Sequence, residues 1–110
     1  AMKAGLNAAG LATHPYAIGE TAVDYVEAAA PVPVGPWRSI AHGYNVYFVE
    51  TFVDELAAEV GADPLAYREA LLPADSPGRA VLRAVAEASG WSRPRRDGVA
   101  FGVALQHGWD

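Results

Sequence analysis

The chain has 110 residues, enough for one domain at most. A formal net charge of −5 argues against a nucleic-acid binder, which would carry a basic face, and the absence of cysteine excludes disulfides, thiolate zinc sites, thiol nucleophiles and iron–sulfur ligation. Hydrophobic residues make up 52%, much of it alanine, and charged residues only 19%, against ~25% in typical soluble domains. Part of the surface is therefore expected to be covered by something else.

No apolar run approaches the ~20 residues of a membrane span. The start, Ala1 to Leu6, does not read as a signal peptide, because Gly5, Asn7 and Gly10 interrupt it. Location stays open between the cytoplasm and an exported complex. The alanine ahead of Met2 and the ending Gln106-His107-Gly108-Trp109-Asp110 lead us to expect a piece of a larger protein.

Residues 1–15 are small and glycine-punctuated and are expected to form an irregular N-terminal arm. Over 16–26 the chain alternates, Thr21, Val23 and Tyr25 against Ala22, Asp24 and Val26, which predicts a half-buried strand. Pro31, Pro33 and Pro36 then forbid regular structure, so 27–44 reads as a long loop. Val46, Val49, Phe52, Val53, Leu56 and Val60 recur at helical spacing and predict an amphipathic helix, with Asn45 as N-cap and Gly61 as C-cap. Its charges, Glu50, Asp54, Glu55 and Glu59, lie off that stripe.

Asp63-Pro64 opens a second, short helix that Pro73 stops, and Ser76-Pro77 opens a third that Gly90 closes. A polar connector follows over 93–97. Val99, Phe101, Val103 and Leu105 then alternate with Ala100, Gly102, Ala104 and Gln106, predicting a final strand. The order strand, long loop, three helices, strand gives an expected fold class of α+β, or a fragment of an α/β domain. Two strands make a poor sheet alone.

Chemistry is most plausible in Pro33-Val34-Gly35-Pro36-Trp37-Arg38-Ser39. Glycine permits close backbone approach to a ligand, and a guanidinium near a helix N-terminus suits an anion such as phosphate. The plainer alternative is a turn in which Trp37 fills a core gap and Arg38 pairs with a helix carboxylate.

This loop, followed by Glu50-Thr51-Phe52-Val53-Asp54-Glu55-Leu56-Ala57, Gly61-Ala62-Asp63-Pro64-Leu65, Arg68 and Leu71-Leu72, resembles the molybdenum-cofactor-binding subunit of the xanthine dehydrogenase and aldehyde oxidase family. The branch it is most similar to is that of the isoquinoline 1-oxidoreductase β subunit. The resemblance runs from about Tyr16 to the end and includes Gly90-Trp91 and 98–104. It implies that 16–110 is a partial molybdopterin-binding domain. Gly35, Trp37, Arg38 and Ser39 would contact the cofactor, with Arg38 on the molybdopterin and Trp37 walling a substrate pocket. Relatives often carry alanine and glycine where Pro36 and Ser39 stand.

The resemblance also implies a molybdopterin cofactor in the complete protein, often in its cytosine dinucleotide form. The complete protein would oxidise an aldehyde or N-heterocycle and pass electrons to an iron–sulfur subunit. The family's late glutamate base has no counterpart among these residues, so no catalytic residue is assigned. The isolated chain is expected to be inactive and to bind no cofactor. Glu50, Asp54 and Arg68 are read as scaffold, through salt bridges and caps.

Other features carry less. His14, His42 and His107 have no compact ligand spacing, so no metal site is assigned. Arg93, Arg95 and Arg96 read as a solvated connector, and Trp91 and Trp109 as packing residues. Ser39 and His42 lack the third group of a hydrolase triad. The alternative function is a stand-alone, non-enzymatic domain that self-associates through exposed apolar faces.

Overall fold

The computed structural model describes residues 7–35 and 37–107. The Pro36, Trp109 and residue 1–6 parts of the expectations above lie outside them. Among the described residues three helices follow one another, α1 (His42–Glu59), α2 (Pro64–Leu71) and α3 (Pro77–Ser89). α2 packs against both α1 and α3.

The ends of α2 and α3 follow the local chemistry. The Asp63 side chain accepts the Leu65 and Ala66 N–H groups, each at 3.0 Å, and Pro64 begins α2 where its missing donor costs nothing. Ser76 accepts the Gly78 N–H at 3.2 Å at the start of α3. α1 and α3 close in the same way: Gly61 and Gly90 take positive φ (64° and 65°). The Ala62 and Trp91 N–H groups reach back to the Ala57 and Ala86 carbonyls, a Schellman arrangement.

α1 differs from the sequence reading in start and in face. It begins at His42, its N-cap Ala41 offers no capping side chain, and Asn45 is buried inside the first turn. There the Asn45 amide donates to the Asn7 and Ala9 carbonyls of the N-terminal arm (2.8 and 3.0 Å). Gly10, with φ of 82°, lies against His42 and Val46 so closely that a Cβ would fall 3.0 Å from Val46. The buried residues of α1 are Asn45, Glu50, Val53 and Ala57, whereas Phe52 and Val60, assigned to the inner face, are exposed.

The expected α+β class is not what forms. Among the described residues there is no strand and no sheet, and the fold is all-α. The two alternating segments carry no regular secondary structure, and 102–106 keeps the facing of a half-buried strand. Leu105 is buried and Val103 half-buried, with Gly102, Ala104 and Gln106 outside. A strand also needs a neighbour for its ladder, and neither segment supplies one to the other.

The core is small: Tyr16, Val53, Leu72, Leu82 and Leu105, with Val49, Tyr67, Leu71 and Val103 against it. At its centre lies an ion pair. Arg68, fully buried, donates from Nε to Glu50 Oε2 (2.9 Å), from Nη1 to Asp54 Oδ1 (2.6 Å) and the Pro64 carbonyl, and from Nη2 to the Glu50 carbonyl. The same Glu50 carboxylate accepts the Tyr16 hydroxyl (2.8 Å) and the Leu105 N–H (3.0 Å). One carboxylate thus joins both extended segments to α1 and α2.

The radius of gyration is 16.2 Å, against about 13 Å for a compact domain of this length. The accessible surface is 8390 Å², well above the roughly 5,800 Å² of a compact monomer of this size. Valines, tyrosines and phenylalanines account for much of the exposed apolar area, among them Val26, Val34, Tyr47, Phe48 and Phe52.

Candidate functional site

The proline-rich loop and the start of α1 enclose an open cleft of about 670 Å³. Val34, Gly35, Trp37 and Arg38 line it from the loop, Tyr25 and Glu27 from the preceding extended segment, and Gly43 and Tyr44 from α1. Of the four residues assigned from sequence, Gly35, Trp37 and Arg38 share this cleft. Ser39 is not in its lining but makes the turn that sets them there.

That turn is unusual. Ser39 and Ile40 both take positive φ (68° and 48°), a region disfavoured for L-residues and most of all for a β-branched one. Two hydrogen bonds hold it, Ile40 N–H to the Trp37 carbonyl (2.9 Å) and His42 N–H to the Ser39 carbonyl (3.0 Å). Glycine at position 39 would adopt this conformation without the Cβ penalty.

The plainer reading of the loop does not describe the structure. Trp37 is 85% exposed and fills no core gap. Arg38 is exposed, and among the described residues no carboxylate pairs with it. A cation and an indole face are therefore presented to the cleft rather than used in packing. Beside them is the N-terminus of an 18-residue helix without a side-chain cap, an end that carries partial positive charge.

The loop is held at both ends. Upstream, Tyr16 is buried against Glu50, and Ala17 N–H donates to the Leu71 carbonyl at 2.7 Å. Downstream, α1 is fixed by the Glu50–Arg68 pair. Burial, then the hydrogen bond and charge of Glu50, hold the Tyr16 hydroxyl far above its ordinary titration range. Burial lowers the Arg68 pKa, but the Asp54 and Glu50 hydrogen bonds outweigh it, and the net shift is upward. Both groups keep their neutral-pH protonation state, which is what a scaffold requires.

Sequence reasoning missed Tyr25, Glu27 and Tyr44 as cleft residues. Tyr25 had been placed on a strand face, and nothing in the local pattern marks Tyr44. The connector arginines are exposed, and Arg95 also lies over the rings of Trp91 (5.1 Å) and Phe101 (4.4 Å). The Trp91 indole N–H donates to Asp63 Oδ2 at 2.9 Å. Among the described residues no three His, Asp or Glu side chains gather as a metal site, and no helix is long and apolar enough to cross a membrane.

A helical scaffold presenting a stiffened, cation-bearing loop is the class of object these observations define. The chain is similar to the isoquinoline 1-oxidoreductase subunit beta of Brevundimonas diminuta, 35% identical over 85 residues, covering 74% of this chain and 11% of that protein. It spans about a ninth of that relative's length. A continuous match over that share of 110 residues takes in the loop and α1 wherever it begins. No family model and no solved structure matches the chain.

Proposed function

We propose that this chain is the cofactor-facing portion of the large subunit of a molybdenum hydroxylase and is not catalytic alone. The observation that carries the reading is the pairing of Trp37 and Arg38, exposed and unused by the fold, on a cleft beside an uncapped helix N-terminus, within a stretch similar to the Brevundimonas protein. These residues fit one wall of a pterin site. A guanidinium without a carboxylate partner suits a phosphate, an indole face suits a planar ring, and Gly35 permits close approach.

Gly35, Trp37, Arg38 and Ser39 would hold the molybdopterin, in the cytosine dinucleotide form expected for this branch. When bound, the cofactor supplies the two-electron redox centre for an aldehyde or N-heterocycle. The chain's own residues orient it: Arg38 neutralises charge, Trp37 narrows the pocket, and the Glu50–Arg68 scaffold keeps the turn rigid. The remainder of the subunit supplies the base, and an iron–sulfur subunit receives the electrons.

Arg38→Ala in the complete enzyme tests this. The expected result is a several-fold fall in molybdenum per polypeptide with folding unchanged by circular dichroism. Full molybdenum content in that variant contradicts the cofactor role.

One observation favours a second reading, self-association. Tyr44, Tyr47, Phe48 and Phe52 form an exposed stripe on the outer face of α1 (48–65% exposed), and patches of this kind recruit partners. Light scattering after size exclusion separates the readings: a stable dimer free of molybdenum supports self-association, and a monomer opposes it.

A further inference from the structure

We infer that Glu27 is a specificity-determining residue of the cleft, a step that rests on the cofactor reading above. Its carboxylate reads the amino-pyrimidinone edge of a pterin while Arg38 holds the anionic end of the same molecule.

A site built for an anion alone has no use for a carboxylate. Among the described residues that line the cleft, only Glu27 and Arg38 are charged. Residues 28–37, which join them, carry no charge. Glu27 is exposed, and among the described residues it makes no ion pair or hydrogen bond, with Arg38 or with any other group. Both charges are thus left unused by the fold. A ligand anionic along its whole length would be repelled by Glu27. The pair suits a ligand with two unlike ends, negative at one and bearing N–H donors at the other.

Between those ends the walls are aromatic and low. Tyr25, Trp37 and Tyr44 line the same cleft and are 45%, 85% and 48% exposed, and ring faces left out of packing suit a planar ligand. Gly35 and Gly43 add no side chain, so a flat ring can lie close to the backbone of both the loop and α1. The cleft volume of about 670 Å³ falls within the roughly 300–1,000 Å³ of small-molecule sites.

A pterin meets these requirements with its own atoms. Its pyrimidinone ring presents the 2-amino N–H and the N3–H side by side. A carboxylate accepts two such parallel donors together, as it accepts the fork of a guanidinium. The phosphate-bearing side chain leaves the far end of the fused rings, where a guanidinium suits it. Glutamine at position 27 would keep one acceptor and turn an amide N–H towards the second donor. The cytosine of a dinucleotide form offers one amino group beside an acceptor nitrogen, and so matches one carboxylate oxygen rather than two.

Equilibrium dialysis on the complete polypeptide, produced without its cofactor, tests the inference with two soluble probes. Pterin-6-carboxylate carries the 2-amino group and an anion. Lumazine-6-carboxylate has the same skeleton with oxygen in place of that amino group. The expected result is roughly tenfold tighter binding of the pterin, falling to a ratio of about one in Glu27→Gln. Arg38→Ala is expected to weaken both probes alike and leave the ratio unchanged. Glu20→Gln, at an exposed carboxylate outside the cleft, is expected to alter neither. Equal binding of the two probes by the unaltered protein, or an undiminished ratio in Glu27→Gln, overturns the inference. If Arg38→Ala still weakens both probes in that case, the cofactor reading stands. Failure of either probe to bind the folded, unaltered protein removes the cofactor reading and the role of Glu27 with it.

Discussion

Arg68 concentrates the energetics at the residue scale. A buried guanidinium is stable only when its donors are satisfied, and here carboxylates and carbonyls on α1 and α2 accept four hydrogen bonds from it. Removing one charge leaves the other buried and poorly compensated. Glu50→Gln is therefore expected to destabilise the fold by about 3 kcal/mol, read as a lower urea midpoint. Molybdenum content per folded molecule of the complete protein should stay unchanged. An unshifted midpoint contradicts the scaffold role.

Tyr16 gives the same hub a pH signature. Its folded pKa is raised, so the folded state holds its proton more tightly than the unfolded one. The stability this contributes is fully present below about pH 10 and is lost as pH rises beyond it. Tyr16→Phe is expected to flatten the fall in urea midpoint between about pH 9 and 11. An identical slope in the variant would assign the alkaline loss to other groups. At the turn, Ser39→Gly is expected to stabilise by about 0.5–1 kcal/mol, because it relieves a left-handed Cβ clash.

At the scale of elements, the helices were legible where punctuation is chemical. Asp63-Pro64, Ser76-Pro77, Gly61 and Gly90 each act through a hydrogen bond or a positive φ that their residue type favours. Asp63→Ala is expected to cost about 1 kcal/mol, through loss of the α2 cap and of the Trp91 bond. Burial raises the Asp63 pKa, but the Ala66, Trp91 and Leu65 donors outweigh it, so the carboxyl lies below its ordinary range. Its contribution is present above about pH 4 and fades as pH falls through the lowered value. The variant's acid limb should accordingly be flatter.

What was not legible depended on partners. Asn45 looked like a cap, yet its amide serves the arm carbonyls of Asn7 and Ala9, contacts 36 and 38 residues away in sequence. The salt-bridging role of Glu50, Asp54 and Arg68 was legible and is borne out, but the burial of Glu50 was not, because only the distant Arg68 and Tyr16 make it tolerable. The alternation at 102–106 carried a true facing signal, at 21–26 only Val23 is even half-buried, and neither pattern tells whether a neighbouring strand is present. For the site, the loop's residue types identified Gly35, Trp37 and Arg38, while Tyr25 and Glu27 entered the cleft only through the path of the chain.

For the whole molecule, the large accessible surface and the aromatic stripe on α1 describe a body whose faces are made to be covered. Replacing Tyr47 and Phe48 with serine is expected to leave the core intact and reduce association of the isolated chain, measured by light scattering. Undiminished association would place the contact elsewhere. The central claim is that the cleft beside α1 faces a molybdenum cofactor. Its most direct test is the molybdenum content of the complete polypeptide carrying this chain, purified from its natural source. About one atom per polypeptide, accompanied by a pterin fluorescence signal after oxidation, is the result this account expects. Well-folded protein with neither would contradict it.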